Sequence, residues 1–264
     1  MNWAGISKFE PASAWMTASK GGEMSEPGVQ QLFKAVEGEH SVLILPHNDP
    51  DPDAIASAVA LRHLLAEVLS VDGYIAYKGI IGRAENKALE RYLDHPMRRL
   101  AGADLGPSRP IALVDTQPGA GNNALSPRSS AAIVLDHHPL REATATAEFA
   151  DVRPDVGSTS TILTEYLQAV HIEPPRPLAT ALFYGIKTDT LGLVRGTSAA
   201  DVAAYVYLQP LVDLEALVDI ERAQVPIDYF QRLDAVLHSA TIYGDVVISF
   251  VGPMRRPDLA AEMA

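Results

Sequence analysis

The 264-residue sequence contains no cysteine. That excludes disulfides, thiolate metal ligands and cysteine nucleophiles, so any metal must be held through nitrogen and oxygen. Long apolar runs are missing too. None approaches the span of a bilayer, and Met1 to Gly22 lacks the charged start, apolar middle and small-residue cleavage site of a secretory signal. The expectation is a cytoplasmic protein without a membrane partner. Basic residues are scarce, 21 Lys and Arg against 33 Asp and Glu, for a net charge of -12. A long duplex held by its phosphates needs a broad basic surface and is disfavoured. A small anionic substrate stays open if bound cations reverse the local sign. What is present is a globular composition, 47% hydrophobic, at a length suited to one large domain or one and a half ordinary ones.

The chain is organised around Ser41 to Ser57, SVLILPHNDPDPDAIAS. Val42 to Leu45 reads as a strand buried on both faces. His47, Asp51 and Asp53 then fall on the loop at its carboxyl end, where open α/β sheets bind ligands. Carboxylates this crowded repel one another unless a cation holds them, and imidazole beside carboxylate suits manganese or a similar ion. A solvated Asx-Pro turn capping the next helix explains the same residues equally well. That helix runs from Asp53 to Leu69 by its apolar spacing. Gly73 to Gly79 predicts a second strand and Ala84 to Leu93 a helix. Arg83, Lys87 and Arg91 form a basic stripe on that helix, either a solvated face balanced by Glu85 and Glu90 or a phosphate contact. Pro96 closes the segment, and a loop is expected up to Pro110.

Ile111 to Val114 is the next buried strand, with Asp115 directly after it. Ala131 to Leu135 repeats the design and ends in Asp136, His137 and His138. Three strands that each end in Asp or His favour a shared site. After a strand over Phe149 to Val152, Gly157-Ser158-Thr159-Ser160 opens a helix. Its free amides could receive a phosphate, the plain alternative being a simple N-cap. A helix over Leu178 to Ile186 delivers Lys187-Thr188-Asp189-Thr190. Three more helices are expected over Asp201 to Leu208, Leu214 to Arg222 and Tyr229 to Ser239, then a strand over Val246 to Val251 and a helix over Pro257 to Ala264.

HNDPDPDAIAS, VDTQPG, LDHHP and GIKTDT, in this order, resemble the four motifs of the DHH phosphoesterases. The resemblance covers roughly Ser41 to Ala200 and is greatest to the branch that degrades very short RNA (nanoRNase) and dephosphorylates 3'-phosphoadenosine 5'-phosphate. It implies an α/β fold with a doubly wound, mainly parallel sheet, then linker helices and the start of a C-terminal substrate domain. The expected plan is a disordered leader over 1–27, a catalytic domain over 28–200, a helical linker over 201–242 and a partial substrate domain over 243–264. Carried over by residue, it implies that His47 and Asp51 hold one metal ion, that Asp53, His137 and Asp189 hold a second, and that Asp115 bridges them. His138 would face the substrate phosphate, and Asp136 would orient an imidazole or close the turn. Arg83, Lys87, Ser158, Thr159 and Arg195 are the expected substrate contacts. The implied cofactors are two divalent ions, Mn2+ foremost, with Mg2+ or Co2+ as substitutes. Such a pair, about 3.5–4 Å apart, activates a water against a phosphoryl group.

The sequence departs from the family in two ways. Pro52 stands where glycine usually separates the last two aspartates of the first motif. Proline is tolerated at a helix start, so the metal geometry should survive. The glycine-rich GGGH-type motif of the family's C-terminal domain does not occur before Ala264, so that domain is expected to be truncated or reduced. The resulting expectation is a hydrolase acting on a small nucleotide or short single-stranded RNA. The alternatives are an inorganic pyrophosphatase or short-chain polyphosphatase, and a metal-dependent nucleotide-binding module without turnover. A homodimer is left open.

Overall fold

The structure, a computed structural model, describes residues 26–106, 109–126, 129–225, 227–250 and 252. Six strands form one parallel sheet: β1 (Ser41–Pro46), β2 (Asp72–Tyr77), β3 (Met97–Arg99), β4 (Ile111–Val114), β5 (Ile133–Asp136) and β6 (Phe149–Val152). Their order is β3-β2-β1-β4-β5-β6. The chain therefore builds outward from β1 to one edge, returns, and builds from β4 to the other. The reversal leaves a crevice between the carboxyl ends of β1 and β4, where an open α/β sheet binds ligands.

Alternate residues of the central strands feed two cores. Val42, Ile44, Ala112, Val114, Ile133 and Leu135 pack into the larger core with helices α2 (Pro52–Leu69), α4 (Thr159–Ala169) and α5 (Arg176–Asp189). Leu43, Leu45, Leu113 and Val134 fill the smaller one on the opposite face. Both sets are buried, so these strands read as unbroken apolar runs. The two faces are covered unequally. The second carries no full helix among the described residues: its cover includes Leu100, Leu125 and Ala147, from the connections that join β3, β4, β5 and β6, whose described regular pieces are two 3-10 turns at Gly102–Leu105 and Glu142–Thr146.

Helix α1 (Glu26–Lys34) begins inside the stretch expected as a leader; residues 1–25 lie outside the described residues. Helix α3 (Ala84–Tyr92) follows β2. Helices α6 (Ala199–Leu208), α7 (Leu214–Glu221) and α8 (Ile227–Ser239) follow the site. Strand β3 corrects the loop expected after Pro96. It is a three-residue edge strand bearing Arg98 and Arg99, charged and short as edges commonly are, which hides it from a hydrophobic pattern. The lone strand expected near Val246 is instead half of an antiparallel hairpin, β7 (Thr241–Tyr243) with β8 (Val246–Ile248), and all six residues are exposed. Val251 and the helix expected over Pro257 to Ala264 lie outside the described residues. Among the described residues, no helix is long and apolar enough to cross a membrane.

Candidate metal centre

Strand register lines up the site. Pro46 pairs with Val114, and Val114 with Leu135, so the next residues, His47, Asp115 and Asp136, the last of β5, lie side by side at the sheet's carboxyl edge. Asp115 turns at once into the left-handed region, φ 58, which aspartate tolerates better than most residues. Its amide donates to the Leu135 carbonyl at 2.9 Å, and its side chain is 2% exposed. Its two oxygens divide the site. Oδ2 faces His47 Nε2 at 3.4 Å, and Oδ1 faces His137 Nε2 at 3.5 Å.

On the His47 side stands Asp51, whose Oδ1 lies 3.6 Å from the imidazole and also accepts the Ala54 amide at 3.0 Å. Asp51 is thus the N-cap of α2, as the turn reading has it, and stands beside His47 in the cluster at the same time. Pro52 follows at the first helical position without displacing either aspartate. On the His137 side stand Asp189, with Oδ2 at 3.3 Å, and Asp53. Ligand atoms of His47, Asp51 and Asp115 lie within 4.8 Å of one another, as do those of Asp53, His137 and Asp189. Asp115, His137 and His138 make a third such group.

The imidazoles are held in defined orientations. His47 Nδ1 contacts the Asn48 carbonyl at 2.8 Å and His137 Nδ1 the Val156 carbonyl at 3.3 Å. A carbonyl only accepts, so each Nδ1 carries a proton and each Nε2 is the nitrogen turned toward the carboxylates. His137 Nε2 is buried without a hydrogen-bond partner. A buried imidazole nitrogen facing three carboxylates, in a set of nitrogen and oxygen donors, fits a divalent cation that displaces its proton.

Charge crowding shows in the acidities. Burial, then Asp115, pushes Asp53 up to about 7, and burial, then Asp53, pushes Asp189 up to about 6. Burial disfavours the charged form of His137, but Asp189, Asp53 and Asp115 overcome it and push the imidazole up to about 10. At neutral pH the metal-free cluster therefore holds protons that a cation must displace. Protons leave as pH rises, so metal affinity rises with pH. Displacement of the His137 proton alone should make the affinity for a divalent cation fall about 100-fold from pH 8 to pH 6, roughly tenfold per unit, and Asp53 should steepen the fall below about 7. Calorimetry in buffers of differing ionisation heat should read one to two protons released per site filled.

Asp136 receives the amides of His137 and His138, at 2.9 and 3.3 Å, which close the turn, and His138 Nδ1–H at 2.8 Å, which orients that imidazole. The expectation for Ser158 and Thr159 is corrected. Both are fully buried, and the amides at the start of α4 are already used: Thr159 and Ser160 donate to the two oxygens of Asp53 at 2.7 and 2.8 Å. Thr159 Oγ1 donates to Asp115 at 2.9 Å, and Ser158 is the N-cap. The helix N-terminus holds a candidate ligand rather than a substrate phosphate. Arg195 is exposed and donates to the Asp189 carbonyl at 3.1 Å. Arg83 and Arg91 are exposed and Lys87 is half-buried. Helix α3 reaches the site loop through Asn86, whose amide donates to the Pro50 carbonyl at 3.4 Å.

Asp49, the unassigned aspartate of the first motif, faces away from the cluster. Its Oδ1 accepts the Ile80 amide at 2.7 Å, and a Cβ on Gly79 (φ 89) would meet that oxygen at 2.2 Å. Two organisers were not anticipated. Gln117 is 1% exposed and joins the Asp115 loop to the Asp136 loop. Asp201, fully buried, accepts from Gly157 N, Thr161 Oγ1, Ser198 N and Ser198 Oγ. The spacing Ser198-x-x-Asp201 is a capping-box signal that could have revealed Asp201. Gln117, in a segment of turn residues, gave no such signal.

Residues 41–186 match the DHH family, N-terminal domain. An uncharacterised protein of Methanocaldococcus jannaschii is 40% identical over 229 residues, 86% of this chain and 47% of its own length. A probable manganese-dependent inorganic pyrophosphatase of Streptococcus pyogenes is 28% identical over 181 residues, 68% of this chain and 57% of its own. The chain thus spans about half the length of these relatives. A solved structure, an exopolyphosphatase-related protein from Bacteroides fragilis, superposes with a TM-score of 0.61 at 15% identity, covering 84% of this chain and 67% of the other.

Proposed function

Because the chain belongs to the DHH family, we propose that it is a metal-dependent phosphoesterase whose substrate is a small phosphorylated molecule, a short oligoribonucleotide or 3'-phosphoadenosine 5'-phosphate. The observation that carries this reading is the division of Asp115 between His47 and His137, which makes two adjoining groups of nitrogen and oxygen donors with one shared wall. His47, Asp51 and Asp115 would hold one divalent ion, and Asp53, His137, Asp189 and Asp115 the other, Mn2+ suiting the mixed donors. When bound, such ions supply Lewis acidity at phosphoryl oxygens and lower the pKa of a water.

The chain's own residues do the rest. Asp136 fixes His138 with Nδ1–H inward, so its other nitrogen serves the substrate phosphate. Arg195, beside Asp189, and the α3 cations Arg83 and Lys87 offer positive charge to an anionic substrate. An acidic chain with so few cations neutralises few phosphates. Rates should therefore fall steeply as an oligonucleotide lengthens beyond a few residues, with only a shallow loss in salt. Equal cleavage of a dinucleotide and a long single strand, with a steep loss in salt, would contradict this.

A second reading, hydrolysis of pyrophosphate or short polyphosphate, is favoured by the likeness to the streptococcal pyrophosphatase. A product assay with Mn2+ on pApA, 3'-phosphoadenosine 5'-phosphate and pyrophosphate separates them. AMP from either nucleotide supports the first reading, and orthophosphate from pyrophosphate alone selects the second. Metal binding without turnover sinks both.

A further inference from the structure

We infer that Gln117 is a positioning residue that aims His138, a role that rests on the phosphoesterase reading above. Its carboxamide orientation is fixed by its surroundings. Nε2 donates to Asp136 Oδ2 at 2.7 Å and to the Pro139 carbonyl at 3.1 Å, with the His138 carbonyl at 3.4 Å. Oε1 accepts the Arg141 amide at 2.9 Å and Thr144 Oγ1 at 2.8 Å. Flipping the amide would set acceptor against acceptor and donor against donor, so only one orientation is viable.

Two residues after Asp115, Gln117 thereby clamps the turn after β5 to the turn after β4. The clamp ends on the half-exposed imidazole. The His138 side chain is 54% exposed, whereas those of His47 and His137 are 15% and 14%. Asp136 Oδ1 holds His138 Nδ1–H and accepts the His137 and His138 amides, while Gln117 holds the other oxygen, in a site 1% open to water. Without Gln117 the carboxylate is held through Oδ1 alone and can pivot about it, so His138 loses its fixed tautomer and direction. The buried imidazoles rest on the Asn48 and Val156 carbonyls instead, so they do not depend on Gln117.

The test uses the full chain with Gln117→Met, which keeps length without polarity, and Gln117→Glu, which keeps shape but opposes Asp136. Thr144→Val, which removes only one donor to Oε1, is the milder variant should either fail to fold. Imidazole 15N shifts should show His138 moving from one tautomer to an average, with His47 and His137 unchanged and Mn2+ stoichiometry intact. Turnover of the substrate found by the product assay should drop about 10–100-fold. In a His138→Ala background, Gln117→Met should add less than about twofold, since a residue acting through His138 has nothing left to act on. An unchanged His138 tautomer, additive losses, or metal lost along with turnover would each overturn the inference. If the wild-type chain turns over none of the substrates, the functional reading falls, while the 15N shifts still decide whether Gln117 sets His138.

Discussion

Replacing Asp115 with asparagine should remove most bound metal and lower turnover by at least about 10^3-fold, the largest catalytic effect expected of any single change. The reason lies in the division of its oxygens, Oδ2 toward His47 and Oδ1 toward His137. A neutral amide offers one acceptor instead of two and no charge, so both ions would lose a ligand, and several kcal/mol of transition-state stabilisation go with them. Asparagine is the better test than alanine, because it accepts the left-handed backbone at φ 58 and can still accept from Thr159 Oγ1. Asp49→Ala is the control. Asp49 has the same chemistry and a similar backbone, φ 57, but its Oδ1 is given to the Ile80 amide. Its loss should leave metal content unchanged and turnover within about tenfold. Comparable losses at both positions, read by metal analysis and initial rates, would mean that the ligands are assigned wrongly.

The largest effect on stability should come from Asp201→Ala. This carboxylate is fully buried and receives four hydrogen bonds, from Gly157 N, Thr161 Oγ1, Ser198 N and Ser198 Oγ. Alanine would strand those donors where water does not reach, at a cost of about 3 kcal/mol or more. That corresponds to a fall of roughly 6–12 °C in Tm. Asp213→Ala is the comparison: Asp213 also caps a helix, accepting the Ala216 amide, but it is only half-buried. It should cost about 1 kcal/mol. Asp201→Asn should recover part of the loss by keeping one acceptor. The effect should extend to metal affinity, because Asp201 secures the loop that leads into α4, and the first amides of α4 hold Asp53. Thermal melts with and without Mn2+ would separate the two contributions. Equal destabilisation by the two alanine variants would refute this account of Asp201.

Much of the site was legible because strand ends of a parallel sheet lie beside one another. Once Asp115 and Asp136 were seen to follow apolar runs, their neighbourhood with His47 followed from topology. Strands β4 and β6 begin and end where the apolar pattern does. What escaped depends on partners distant in the chain. Strand β3 exists because Met97 pairs beside Ile75. Strand β7 is three residues that become a strand only against β8. The start of α4 reads locally as an anion site, and so it is, but the anion is a carboxylate of the protein itself. Local sequence cannot reveal that Asp53 arrives there first.

That occupancy bears on when the site comes into being. The amides of Thr159 and Ser160 close on a carboxylate 106 and 107 residues away. Contacts of such span are expected to form late, because the entropy of closing so large a loop must be met before the contact returns anything. Asp53 is therefore set only when α4 has docked against α2, late in folding. A cation that needs Asp53 recognises the finished fold and has little hold on its precursors. It should act as a lock on the native state, retarding its loss, rather than as a nucleus around which the chain assembles.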